Sequence, residues 1–148
     1  SSAASDVYKR QIRTYPIRLT EENAQEIISQ YDIVVDGCDN FSTRYLINDI
    51  CAEMGKVYVY GAICGFEGQV SVFHYGEEKK SYRDLYPDEE EMRRMPPPPK
   101  GVMGITPAVT GSIEATEVLK IICGFGEVLS GKLWTIDLRT LQSNKFSL

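Results

Sequence analysis

The chain has 148 residues, 43% of them hydrophobic and 25% charged, with a formal net charge of -5 and a pI near 4.9. That is the composition of one globular domain with its own core, which excludes a chain disordered throughout. No apolar run reaches membrane-spanning length, so no membrane partner is expected, and the acidic balance argues against a basic face for nucleic acid.

Residues 1–11 show neither an apolar period nor cap logic, and they are set apart as a non-native or disordered tail. No apolar segment follows a basic start, so no signal peptide is expected. Residues 12–19 alternate and predict a strand, which Pro16 places at an edge or a bulge. Thr20 predicts the N-cap of a helix reaching about Gln30, with Glu21 and Glu22 at its positive end and Ala24, Ile27 and Ile28 as its apolar stripe. Residues 32–36 (DIVVD) read as a buried, parallel strand. Asp39 and Asn40 then cap a helix over 41–54, with Tyr45, Leu46, Ile50 and Met54 as its apolar positions and Gly55 at its end.

Residues 57–60 and 69–75 predict two further strands, the second with Val70, Val72 and His74 on one face. A crossover-like irregular loop is expected over 76–105, holding an acidic run at 88–91 and an extended run of four prolines at 96–99. Thr106 as cap and Pro107 in the first turn open the last helix. Its expected core face is Val109, Ile113, Val118, Ile121 and Ile122, and Gly124 ends it. Residues 132–138 and 144–148 predict a closing hairpin. The alternation implies one α/β domain whose mixed sheet is parallel at first and antiparallel later.

The most informative local feature is DGCDN at 36–40, between an apolar strand and a helix. In open α/β sheets ligands bind in that crevice. Asp39 there can hold Mg²⁺ over a nucleotide phosphate, and Asn40 can add an amide contact. The same two residues also read simply as a helix cap. Arg44 can approach a phosphate or pair with a nearby acid. His74 is the only histidine and reads as structural. The glycines of GAICGFEG at 61–68 permit close approach of a ligand or mark a bulge. There is no G-x-G-x-x-G and no P-loop. The four cysteines, Cys38, Cys51, Cys64 and Cys123, form no C-x-x-C pair. They read as free thiols of a reduced, cytoplasmic protein, with Cys64 and Cys123 in apolar settings that raise a thiol pKa.

Taken together, YDIVVDGCDNFSTRYLINDIC, GAICGFEGQVSVF, GVMGITPAVTGSIEATEVLKII and GKLWTIDLRTL, in that order, resemble the ThiF/MoeB/HesA family, closest to a ThiF-like member. The family comprises bacterial relatives of ubiquitin-activating enzymes. The resemblance implies a Rossmann-like mixed sheet of the ubiquitin-activating-enzyme fold, here lacking the N-terminal nucleotide-binding β-α-β portion. Residues 12–148 would be the C-terminal part of one adenylyltransferase domain. It implies ATP and Mg²⁺ as cofactors and a ubiquitin-like sulfur carrier protein as partner, in thiamine or molybdopterin biosynthesis. It implies that the carrier's terminal glycine is adenylylated by an enzyme that is a homodimer when complete. The resemblance maps the metal and ATP contact to Asp39, with Asn40 beside it and Arg44 as a catalytic arginine. It maps the carrier-tail segment to Phe66, Glu67, Gly68 and Gln69. Ser81 and Asp84 stand where many members carry the first zinc-binding C-x-x-C pair, so no zinc site is expected. A carrier-holding cysteine of some members falls near Pro97, so a covalent step there is not expected.

Two alternatives stay open. One is adenylylation of a small carboxylate, as in cyclisation of threonylcarbamoyladenosine on tRNA. The other is an inactive fragment or a non-catalytic binding module, because nothing in the chain supplies a phosphate-gripping loop.

Overall fold

A computed structural model describes residues 11–96 and 101–148. The expectations for residues 1–10 and for Pro97 to Pro99 fall outside the described residues. Helix α1 (Glu21–Ile28) precedes strand β1 (Ile33–Val35), helix α2 (Phe41–Met54), and strands β2 (Val57–Cys64) and β3 (Glu67–Phe73). Two short helices, α3 (Tyr82–Leu85) and α4 (Glu89–Arg94), lead to α5 (Ile105–Cys123), and β4 (Lys132–Asp137) and β5 (Gln142–Ser147) close the chain. The five strands form one sheet in chain order. β1 and β2 are parallel, with Ile33 opposite Val57, and every later pair is antiparallel. The mixed sheet expected from the alternation is therefore present.

The pleat sorts β2 and β3 between two cores. Tyr58, Tyr60 and Phe73 face α1 and α2, where they join Ala24, Ile28, Tyr45, Cys51 and Tyr82. Val59, Val70 and Val72 face the opposite way, with Leu129 and the Ile113, Val118 and Ile121 flank of α5. Tyr60 and Tyr82 lie 5.2 Å apart between ring centroids, and Tyr45 meets Tyr82 edge-on at 5.0 Å. Such pairs add roughly 0.5–1.5 kcal/mol beyond their buried area. These rings tie α2, α3 and the sheet together.

Several expectations change. Residues 12–19 form no strand but an irregular segment, with Ile12 71% and Ile17 57% exposed. Arg13 Nη1 donates to Gln30 Oε1 at 2.6 Å, so the segment is held by side chains and not by a ladder. β1 is half-buried instead of buried, because it forms the sheet edge and leaves Val35 49% exposed. The stretch 76–105 holds α3 and α4. Asp88 Oδ1 caps α4 by accepting from the Glu91 N–H at 2.9 Å, and Arg93 and Arg94 pair with Glu89 and Glu90 one turn back.

His74 does not share the face of Val70 and Val72. It lies past the end of β3 in the left-handed region (φ 60°), with Nε2 3.0 Å from Asn48 Oδ1. Cys64 and Cys123 are exposed, against the apolar settings expected, whereas Cys51 is buried. Ser81 and Asp84 start α3 with a capping box, in which Asp84 Oδ2 accepts from the Ser81 N–H at 2.7 Å.

The largest revision concerns α5. Gly104, and not Thr106, is its N-cap, and Thr106 turns inward to donate its hydroxyl to the Gly65 carbonyl at 2.9 Å. The buried face is Thr106, Thr110, Glu114 and Glu117, while Ile122 is 65% exposed. The reason lies on the sheet. Gly61 and Gly68 have no side chain on the α5 side, and a Cβ at either would collide with Glu114 or Thr110. The helix settles onto that bare backbone through polar side chains. Glu117 is anchored by the Leu129 N–H, which donates to Oε2 at 2.8 Å, and by Lys120.

Candidate functional site

β1 ends at Val35, and the next residues turn sharply into α2. Asp36 governs that turn. Its Oδ1 accepts from the Cys38 N–H at 2.7 Å, and its Oδ2 accepts from Arg44 Nε at 2.8 Å and Tyr58 Oη at 3.0 Å. Arg44 Nη2 donates to the Cys38 carbonyl at 2.6 Å and more weakly to Gly61 O at 3.4 Å. The guanidinium also lies 5.7 Å from the Tyr60 ring centroid. Asp36 and Arg44 are 6% and 8% exposed. A buried, hydrogen-bonded pair of this kind rigidifies the loop it holds, because either partner alone is a costly buried charge. Burial, and then the Asp36 carboxylate, push the Cys38 thiol up to about 12. Cys38 is therefore no nucleophile at neutral pH.

The turn delivers Asp39 and Asn40 to the head of α2. Asn40 is the N-cap, accepting from the Thr43 N–H at 2.9 Å through Oδ1, and its Nδ2 donates to Asp39 Oδ1 at 3.1 Å. Asp39 is exposed and forms no ion pair among the described residues. The cap reading and the ligand reading thus separate: Asn40 caps, and the Asp39 carboxylate faces outward. Arg44 is neither solvated nor free. It pairs with an acid as one reading held, but with the buried Asp36.

Asp36, Gly37, Cys38 and Arg44 form one side of a cleft of about 130 Å³. Gly61, Ala62 and Ile63 of β2 and Pro107, Thr110, Gly111 and Glu114 of α5 form the rest. This is the crevice beyond the carboxyl ends of parallel strands, where open α/β sheets place ligands. Glu114 is the residue that sequence reasoning missed. Apolar spacing along the helix passes over it, yet it is 6% exposed and lies over Gly61. Burial, and then the neighbouring Asp36 carboxylate, push its pKa from 4.5 to about 7, with Arg44 opposing.

The folded state therefore keeps a proton that the unfolded chain releases between pH 4.5 and 7, so stability falls as pH rises through that window. Glu114→Gln has no proton to lose. Its stability relative to wild type, measured by urea unfolding, is expected to improve from pH 4.5 to 7.5. A difference that stays constant across that range would refute the assignment.

The Phe66, Glu67, Gly68 and Gln69 segment lies at the β2–β3 turn. Phe66 is 36% exposed, and Glu67 pairs with Arg139 at 3.3 Å. Gly68 is covered by Thr110, and Gln69 Nε2 donates to Tyr86 Oη at 3.2 Å. Gly68 faces α5 and Gln69 the tyrosine core, so the four residues do not present one common face.

No helix among the described residues is long and apolar enough to cross a membrane. The model of the ThiF family matches residues 2–148. The chain is 47% identical over 138 residues to the sulfur carrier protein adenylyltransferase of Thermus thermophilus, which covers 85% of this chain and 48% of that protein. It is 45% identical over 139 residues to the "Probable molybdopterin-synthase adenylyltransferase" of Pyropia yezoensis, covering 93% of this chain and 36% of the relative. The chain thus spans half or less of the length of these relatives. Among solved structures, E. coli MccB with MccA superimposes with a TM-score of 0.67 at 17% identity, over 90% of this chain and 41% of that one. That likeness extends to the fold alone.

Proposed function

The chain belongs to the ThiF family, and from that premise we propose that it serves an enzyme which adenylylates the carboxyl-terminal glycine of a ubiquitin-like sulfur carrier. The observation that carries the reading is Asp39. It is an exposed carboxylate steadied by Asn40 at the head of α2, beside a crevice at the carboxyl ends of β1 and β2. Its relatives in Thermus thermophilus and Pyropia yezoensis bear adenylyltransferase names, which supports the reaction class.

In this reading the carrier's carboxylate attacks the α-phosphorus of ATP. The bond to the β-phosphate oxygen breaks, giving an acyl-adenylate and pyrophosphate. Asp39 offers a hard oxygen donor outside any ion pair among the described residues, which fits Mg²⁺ held by one or two carboxylates and by phosphates. When bound, the metal neutralises phosphate charge. The α2 N-terminus adds its positive dipole end to the same place. Asn40 fixes the direction of Asp39, and Arg44, through Asp36, fixes the turn that carries both. Arg44 is thus a positioning residue. Phe66 and Glu67, at the exposed β2–β3 turn, are the part of the 66–69 segment open to the carrier. The protein works as a cytoplasmic homodimer in this reading.

The experiment is pyrophosphate–ATP exchange by the full-length protein with and without a purified ubiquitin-like carrier ending in Gly-Gly. Exchange that depends on the carrier is expected. Exchange driven equally by a small carboxylate, or none in the presence of the carrier, would overturn the reading.

A further inference from the structure

A second cleft, of about 180 Å³, lies beside the last turns of α5, at the amino end of β4. It is far along the helix from the Asp39 crevice, since β4 runs from Lys132 here to Asp137, opposite Glu67 at the other end of the sheet. Its frame is fixed by the fold. Glu117, 1% exposed, accepts from the Leu129 N–H through Oε2 and from Lys120 through Oε1. Lys120 Nζ also donates to the Glu127 carbonyl at 2.9 Å. These bonds hold the 124–130 loop against the helix. Val128, Leu129 and the indole of Trp134 give the cleft an apolar lining.

The charges around that lining do not balance. Lys132 lies opposite Ser147, and Lys145 lies opposite Trp134, so the two lysines are diagonal neighbours on one face of β4 and β5. Diagonal positions are roughly 7–8 Å apart, within reach for like charges to repel. Lys132 meets only Glu127, at 3.5 Å, and the Glu127 side chain is 81% exposed. Lys145 forms no ion pair among the described residues. Three lysines thus line the cleft with two glutamates, one of which, Glu117, is already spent on Lys120 and the loop. One negative charge is missing. A carboxylate supplies one, whereas a phosphate group brings about two. The apolar lining calls for an apolar body on the same molecule. The volume equals roughly six water molecules, which admits one six-membered ring or a branched chain of similar bulk.

We propose that this cleft binds a small monocarboxylic acid with an aromatic or branched apolar body. Its carboxylate lies between Lys132 and Lys145, and its body lies against Trp134. The site is separate from the Asp39 crevice and stands or falls independently of the adenylylation reading.

Trp134 is the one tryptophan of the chain, so its fluorescence reports from the wall of the cleft without a label. The probe is phenylacetate, titrated into this chain beside its neutral isostere phenylacetamide. A saturable change in tryptophan emission is expected, with a dissociation constant of about 1–10 mM, the range for a ligand of about ten non-hydrogen atoms at ordinary efficiency. Phenylacetamide should bind about threefold more weakly, and Lys145→Met should weaken phenylacetate by about the same factor, because one exposed ion pair is lost. Changing Lys132 and Lys145 together to Met should weaken it by about tenfold, while Lys145→Arg, which keeps the charge, should stay within about twofold. Neither lysine is buried, so the thermal midpoints of these variants should match that of the wild type. Equal affinity for phenylacetate and phenylacetamide, unaltered affinity in the double variant, or emission that fails to saturate by about 50 mM would overturn the proposal. The tripeptide Ala-Ala-Phe carries the same ring beside a chain-end carboxylate. Binding of that peptide about tenfold tighter than phenylacetate would overturn the free acid in favour of a protein chain end.

Discussion

Arg44→Ala is expected to lower the stability of this chain by about 3–5 kcal/mol, the range for removing one partner of a buried ion pair. Domains of this size are stable by roughly 5–15 kcal/mol, so the variant should sit near the edge of folding at room temperature. The loss has identifiable parts. Asp36, 6% exposed, keeps only the Cys38 N–H and the Tyr58 hydroxyl as donors. The Cys38 carbonyl loses a 2.6 Å donor, and the Tyr60 ring loses its cation. Adding Asp36→Asn to Arg44→Met removes both charges and should recover part of the loss, since the stranded carboxylate is then gone. Urea unfolding of Arg44→Ala, Arg44→Met and the Asp36→Asn/Arg44→Met double variant checks this. A cost below about 1 kcal/mol for Arg44→Ala would place the pair among weak, solvent-screened bridges.

How far the sequence reveals this architecture depends on which force shapes each part. Helix α2 is legible from 40 to 55 because its signals are local: Asn40 caps it, and Gly55 ends it at φ 63°. β1, β2 and the closing hairpin are legible because β-branched and aromatic runs bounded by turns have few alternatives. Residues 12–19 mislead because alternation reports a compatible face and not a partner strand, and none lies beside them in the described sheet. Helix α5 misleads for a deeper reason. Apolar spacing selects Val109, Ile113, Val118, Ile121 and Ile122; of these Ile113, Val118 and Ile121 do flank the sheet core, but the most deeply buried positions of the helix are Thr106, Thr110, Glu114 and Glu117. That choice depends on Gly61 and Gly68, more than forty residues away in sequence and bare on the facing strands. Likewise the motif at 36–40 stands out in the sequence as a candidate site, but which of its residues are buried and which face outward follows from a tertiary contact between Asp36, Arg44 and Tyr58.

Asp39→Asn should separate chemistry from folding. Asp39 is exposed, and its one side-chain hydrogen bond among the described residues comes from Asn40 Nδ2 at 3.1 Å, which an asparagine carbonyl can also accept. Its stability should therefore stay within about 0.5 kcal/mol of wild type, as for surface changes away from special features. Carrier-dependent pyrophosphate exchange by the full-length protein should fall by about 10²–10³-fold. That is the scale for removing one group that stabilises charge in the transition state, and the amide carries no charge to hold a cation. Raising Mg²⁺ should restore part of the rate if Asp39 acts by holding the metal, and none if the carboxylate acts only on the nucleotide. Asn40→Ala provides the opposite pattern. It removes the N-cap of α2, at a cost of about 1 kcal/mol, and reaches the chemistry only through the freedom it gives Asp39. Exchange by Asp39→Asn within threefold of wild type would remove Asp39 from the site.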